Sequence, residues 1–495
     1  MESRNSNTEI PPGSATWESF PGAPRWVPGQ TVRRVPATVM IREAEDFANF
    51  RGSMLKCRAS GFFMSMPPRA RGALLLAILF AAAIGYYHLE IFLPHARAMH
   101  TAHGLGDGYF FGNDFYPIWL TSREWAFDHR DPYSPAMTRA IQIGLFGRSL
   151  DPRNPLDPDA GYRTFSYPAF TDVLALPLAG MPFAAARVLL ALLFPLLLGL
   201  TVLLWVRFFG LRTSPDQLAI LLILTLFSYP GLEAVFALQW GLLVQFLLAA
   251  GLAALGKNRT WSAGCWLALA TIKPQLIVLL VFYLLLWTLA DWRGRRGFGY
   301  GFLGGSALLA TSALLISPRW IFEWWHVLSG YRKYTYPPLA RDLWGPHWGA
   351  ALMGGLLVAA LALAWRMRHV SAASGEFALT VSLLLAISVV TLLPSDAVYD
   401  HLVLLPGIIF LLRFWRRLLL VNQAFRIVLA LSIAAVVWPG IAAMAVIGMR
   451  FVHPLAGWAI LLPVRTAASV PFVILAGLGL AMRELLRRRM TLASE

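Results

Sequence analysis

From residue 71 onward, long apolar stretches alternate with short polar turns. Twelve can be traced, at 71–93, 183–206, 217–238, 241–256, 260–272, 275–290, 299–317, 347–365, 376–393, 401–415, 424–449 and 456–482. A perpendicular transmembrane helix needs about 20 residues, so several of these are short. Short or proline-broken helices suit a membrane protein that lines a polar cavity. Hydrocarbon offers no water to backbone groups, so such stretches predict helices rather than open sheets. The predicted fold is all-α, a polytopic transmembrane bundle of about twelve spans with long loops on one side.

Two of those loops, 94–181 and 318–346, mix aromatic, acidic and basic residues and are too long to be turns. Long loops with structure of their own commonly carry function. In the first, FYPIWLTSREWAFDH sets Phe115, Ile118, Trp119 and Ser122 toward one face. That pattern predicts an amphipathic helix lying in the interface rather than crossing it. Residues 1–68 are polar, rich in Pro, Gly and Arg, and without apolar periodicity, so a disordered cytoplasmic tail is expected there. MPPRARGALLLAILF from Met66 also reads as a signal-anchor start, which would put that tail upstream of the true start. Residues 69–495 then form a single transmembrane domain.

Composition strengthens the membrane reading. The chain is 57% hydrophobic and only 14% charged, where a soluble domain carries roughly 25% charged residues. Its net charge of +16 could suggest nucleic acid, but the basic residues cluster between apolar runs, as topology signals do. Nucleic-acid binding is therefore set aside. If Lys273-Pro274 is a break between two spans, 27 of the 42 Lys and Arg fall on one side and 14 on the other, while the acidic residues divide 11 to 15. The positive-inside rule then predicts cytoplasmic termini and outward-facing long loops. The two cysteines, Cys57 and Cys265, cannot build a disulfide framework or a metal cluster.

Several strings now align with a known family. GNDFYPIW at 112–119, DPYSP at 131–135, FSYPAFTDVLALPLAGMP at 165–182, ALQWGLLVQFLLAAGLAAL followed by TIKPQLIVLL, ISPRW at 316–320 and LLPSDAVYDHLVLLPG at 392–407 resemble, in order and spacing, the signatures of glycosyltransferase family 87. Ala169 stands where that pattern has a second proline. The resemblance implies an integral-membrane glycosyltransferase of the C-type fold in the cell inner (plasma) membrane. Such an enzyme takes a sugar, mannose by default, from a polyprenyl-phosphate donor on the extracytoplasmic face. It passes the sugar, with inversion, to a glycolipid or glycan hydroxyl of the envelope. The partners expected are membrane lipids, the donor and the acceptor, for a chain acting as a monomer. No cofactor is expected beyond the lipid-linked co-substrate.

The chemistry assigns roles to residues. An acceptor hydroxyl must lose its proton as it attacks the anomeric carbon, and a positioned carboxylate that takes it contributes about 10²–10⁴-fold. Asp114 is the expected base; the competing reading is that Asn113 or Asp114 caps the helix that follows. His401, beside Asp400, is expected to orient a carboxylate or to meet the donor phosphate, or else to anchor a helix end at the interface. Lys273 reads as a phosphate ligand or as a topogenic charge at a turn, and Arg332 with Lys333 as phosphate ligands or as a wet interfacial loop. Asn113, Tyr116, Tyr167, Glu233, Gln239 and Asp400 complete the expected cavity lining. Tyr167 and Glu233 read equally as helix-end anchors, and Asp396 as a loop cap.

No metal site is expected. Asp128 with Asp131 is one conceivable pair, and Asp151, Asp157 and Asp159 a conceivable trio, but the trio alternates with proline as a rigid loop does. The main rival reading is a twelve-span secondary transporter, which calls for related halves and ionisable groups near mid-bilayer; the sequence shows no such repeat. A non-catalytic component of envelope assembly is the third.

Overall fold

The computed structural model describes residues 67–105, 110–151, 153–154, 157, 162–331, 333, 335–420 and 423–494. Of the tail expected over 1–68, all but the last two residues lie outside them. Helix makes up 80% of the structure, and the described residues contain no named strand, only a bridge between Pro338 and Pro394. The all-helical expectation holds. In chain order the helices are α1 (Pro68–Ala102, with a π-helical turn at His88–Phe92), α2 (Tyr116–Asp128), α3 (Pro135–Phe146), α4 (Phe170–Ala179), α5 (Phe183–Phe208) and α6 (Pro215–Leu226). There follow α7 (Tyr229–Phe236), α8 (Gly241–Gly256), α9 (Thr260–Leu269), α10 (Pro274–Ala290), α11 (Trp292–Ile316) and α12 (Trp320–Tyr331). The last are α13 (Leu339–Arg366), α14 (Gly375–Leu392), a 3₁₀ segment Val398–Leu404, α15 (Leu405–Leu419), α16 (Gln423–Arg450) and α17 (Leu462–Arg487).

Seven of these, α1, α5, α11, α13, α14, α16 and α17, are long and apolar enough to cross a membrane, which makes this a multi-pass membrane protein. The bent pair α6 and α7, at 58°, gives an eighth if taken as one span. The other four of the twelve apolar stretches are helices of 17 residues or fewer, among them α8 and α10. Each interruption has a local cause. After α6, Ser228 caps the next helix by accepting from the Gly231 N–H at 3.1 Å, and Pro230 has no N–H with which to continue α6. Between α9 and α10, Lys273 precedes Pro274 and sits at φ −121°, ψ 80°, as the proline ring disfavours helical backbone in the residue before it. The break expected at Lys273-Pro274 is there.

Helix α14 is the axis of the bundle. Its apolar window is 83% buried, against 17–39% in the other six, so it faces protein while they present sides suited to lipid. The tightest crossing joins α9 to α11. A Cβ on Gly264 would lie 2.3 Å from the Phe298 carbonyl oxygen, and one on Gly301 would lie 2.1 Å from that of Trp261. Small residues are what let two backbones approach so closely.

The loop helices form a layer of their own. The predicted face of α2 is buried through Phe115, Ile118 and Ser122, with Trp119 half-buried. It is covered by α4 and the turn after it: Thr121 Oγ1 donates to Asp172 Oδ1 at 2.7 Å, Ser122 Oγ to the Asp172 carbonyl at 2.8 Å, and Trp119 Nε1 to the Met181 carbonyl at 3.0 Å. The apolar side of α2 therefore looks into protein.

The α9–α11 crossing yields a stability prediction. Gly301→Val forces the two backbones apart and should lower the thermal midpoint of the purified protein, at a cost near or above the ~1–3 kcal/mol of an overpacked core. Gly304→Val, one turn on and with open space around it, should leave the midpoint nearly unchanged. Equal midpoints for the two variants would refute the close crossing.

Candidate functional site

The site begins with a turn. Gly112 has φ +83°, and its N–H donates to the Phe236 carbonyl at 2.8 Å, tying the turn to the end of α7. A Cβ at Gly112 would come within 3.0 Å of Leu238 Cδ1. Glycine thus serves both the backbone angle and the contact. Asp114 follows, two residues ahead of α2. The N-cap position of α2 is Phe115, and no side chain caps it. The capping reading of Asn113 and Asp114 is therefore not what this geometry shows.

The Asp114 carboxylate instead accepts from two side chains. Arg163 Nη1 donates to Oδ1 as an ion pair, and Gln239 Nε2 donates to Oδ2. Gln239 is buried, and its amide oxygen accepts from Lys273 Nζ at 2.8 Å. That bond fixes which end of the amide faces Asp114, because an ammonium can only donate and must take the oxygen. Lys273 Nζ also pairs with Asp400, at 3.1 Å to Oδ1 and 3.2 Å to Oδ2, and lies 4.9 Å from the centre of the Tyr399 ring. Lys273 and Asp400 are 5% and 4% exposed, so each is the other's main compensation for leaving water.

A continuous chain, Arg163–Asp114–Gln239–Lys273–Asp400, thus runs through the molecule. Its far end rests on the start of α8, where a Cβ on Gly241 would meet Asp400 Oδ1 at 2.6 Å. The positive end of that helix dipole favours a carboxylate there. Asp396 stands nearby on the loop before the 3₁₀ segment. One side of it is exposed, yet the surrounding protein displaces enough of its water to hold the carboxyl above the usual carboxylate range. Arg163 opposes that shift, and the negative charges of Asp114 and Asp342 add to it.

The structure joins some of the expected residues and not others. Asp114, Gln239, Lys273 and Asp400 are one hydrogen-bonded unit. Asn113 is buried next to Asp114 with no hydrogen-bond partner at its Oδ1. His401 is buried on the 3₁₀ segment beside Asp400, with its Nδ1 also lacking a hydrogen-bond partner. Tyr116 packs on Phe110, Trp119 and Phe183, and its hydroxyl lies against Gly144 of α3. The Tyr167 carbonyl accepts from the Tyr133 hydroxyl at 2.8 Å in the loop layer. Glu233 faces His88 of α1, 3.7 Å from its Nδ1. Lys333 is exposed and Arg332 lies outside the described residues. The acidic DPRNPLDPDAG loop is held by Arg148, whose Nη1 donates to Asp157 Oδ2 at 2.7 Å; Asp159 is outside the described residues.

Sequence reasoning missed Arg163. It sits at φ +62° in an irregular stretch, 49 positions from Asp114, and no periodicity marks it. Its one sequence signal is a cation flanked by Tyr162 and Phe165, and its guanidinium does lie 5.5 Å from the centre of the Tyr162 ring.

No curated protein and no solved structure matches the chain. A family model does: residues 165–395 match glycosyltransferase family 87. The matched stretch contains Gln239 and Lys273, begins two residues after Arg163 and ends before Asp400. The resemblance read from the motifs and the match over those residues agree on glycosyltransferase family 87.

Proposed function

We propose that this membrane glycosyltransferase moves a sugar from a polyprenyl-phosphate donor to a hydroxyl of an envelope glycolipid or glycan, with inversion and with Asp114 as base. The observation that supports this most directly is the arrangement around Asp114: a carboxylate held by donors alone, at the head of a buried polar chain. The acceptor oxygen attacks the anomeric carbon and its proton passes to Asp114. The bond from that carbon to the phosphate oxygen breaks, and polyprenyl phosphate leaves with the electron pair. Arg163 uses one N–H on Asp114 and has others for the leaving phosphate, where a planar guanidinium matches the oxygens well. Lys273 acts chiefly through Gln239, holding its amide toward Asp114, and His401 assists on the same wall.

In this reading the protein adopts the C-type glycosyltransferase fold in the inner (plasma) membrane. Its termini are cytoplasmic and the Asp114 side faces out, in line with the distribution of basic residues. The counter-charge for transfer comes from side chains, so the reaction is proposed to need no metal, and mannose is the sugar favoured by the family resemblance. The donor's prenyl chain would lie along the lipid-facing helices.

Two measurements test this. Asp114→Asn in the full-length protein should lower transfer from polyprenyl-phosphate mannose by about 10²-fold or more while donor binding persists. Transfer at the wild-type rate would remove Asp114 from the role. Lys273→Met alone should destabilise strongly, by about 3–5 kcal/mol, because Asp400 is left charged and buried. Lys273→Met with Asp400→Leu should recover stability yet keep kcat roughly ten-fold or more below wild type, as Gln239 loses the bond that orients it. If the double variant turns over normally, Lys273 and Asp400 hold the fold and do not position the base.

A further inference from the structure

A concavity lined by both polar and apolar residues lies apart from the Asp114 chain. It opens between the second half of α1 and the segment that follows α16, with a volume of about 650 Å³. Arg450, His95 and His453 line it, with Glu90 as its one carboxylate, and Ile91 and Ile460 are among its apolar lining. Arg450 Nη1 donates to the Glu90 carbonyl oxygen at 3.0 Å. That bond steadies the guanidinium at the rim and leaves most of its five N–H donors available.

Position narrows the ligand. Arg450 is the last residue of α16, a helix apolar enough to span. Just beyond it Phe451, Val452 and Trp458 are 79%, 71% and 66% exposed. A cation at the end of an apolar span, beside exposed aromatic and aliphatic side chains, marks the boundary between hydrocarbon and water. A small soluble anion would have no use for that apolar rim. A lipid fits both parts, because its phosphate sits at this depth and its acyl chains run alongside the apolar residues.

We propose that this cavity binds the phosphodiester headgroup of an anionic membrane lipid, with Arg450 gripping the phosphate and the two imidazoles adding donors. No residue of the Asp114 chain lines it. Its Ile91 and Ile460 pack in one apolar cluster with Tyr87, Tyr229 and Val398, and the Tyr87 hydroxyl donates to the Ile460 carbonyl at 2.5 Å. Val398 begins the 3₁₀ segment that carries Asp400. A bound headgroup would therefore brace the wall behind the polar chain without entering it.

The test is native mass spectrometry of the full-length protein released from mild detergent, with lipid titrated back. Wild type should retain one phosphatidylglycerol in preference to phosphatidylcholine, and a large excess of inorganic phosphate should not displace it. Arg450→Gln with His453→Gln should weaken that retention about ten-fold or more. Glu90→Gln, which removes the carboxylate, should tighten it. Asp114→Asn should retain lipid like wild type, so a failure of the proposed reaction and a failure of this site would be told apart. Equal retention by the double variant and wild type would overturn the proposal. Equal binding of phosphatidylcholine would do the same, and ready displacement by inorganic phosphate would assign the cavity to a soluble anion instead.

Discussion

An ammonium group deep inside a helical bundle must find a counter-charge, and this requirement at Lys273 organises the site. Taking a lysine and a carboxylate out of water costs several kcal/mol per ion, and close pairing with further hydrogen bonds is what makes it tolerable. Lys273 meets that condition with Asp400, more than a hundred residues away in sequence, and then with the oxygen of Gln239. The second bond decides the orientation of the amide, and the amide decides what Asp114 sees. The partners also explain why the chain breaks where it does. Pro274 takes Lys273 out of helical geometry, and Gly241 leaves room for the Asp400 carboxylate against the start of α8.

The residues around Asp114 share another trait. Gly112, Arg163 and Leu238, each at or beside a member of the polar chain, all have positive φ. Leu238 is wholly buried in that conformation. A bulky residue there carries a penalty of about 1–3 kcal/mol, which the surrounding packing must offset. The local effect is to turn Gln239 out of the line of α7 and α8 and toward Asp114. Strained backbone at such a point is the expected signature of geometry held for chemistry rather than for stability alone.

What could be read from the sequence, and what could not, follows from how far each signal reaches along the chain. Each of the twelve apolar stretches lies on a helix, because burial from water is written residue by residue. The break at Lys273-Pro274 was equally local, a charge and a proline side by side. The buried face of α2 came from periodicity, though what covers it did not, since α4 lies some fifty residues on. Arg163 escaped notice because an irregular loop has no period and its contact with Asp114 is tertiary. The capping reading of Asp114 was reasonable on local grounds and gave way because the turn at Gly112 places the carboxylate one residue too early for the helix that follows.

The family match covers only part of the polar chain. Residues 165–395 hold the middle of the polar chain, Gln239 and Lys273, while Arg163, Asp114 and Asp400 lie outside them. A buried lysine and an oriented amide are incomplete on their own, since they present one charge and one pair of N–H donors that need acceptors. Two carboxylates supplied by the flanking segments satisfy those needs, one from before α2 and one from the 3₁₀ segment. They are not equivalent. Asp400 is sealed against Lys273, whereas Asp114, paired with Arg163, remains partly exposed. Of the two acceptors that the matched core requires, Asp114 alone keeps an open side, and that opening is what its proposed role as base calls for.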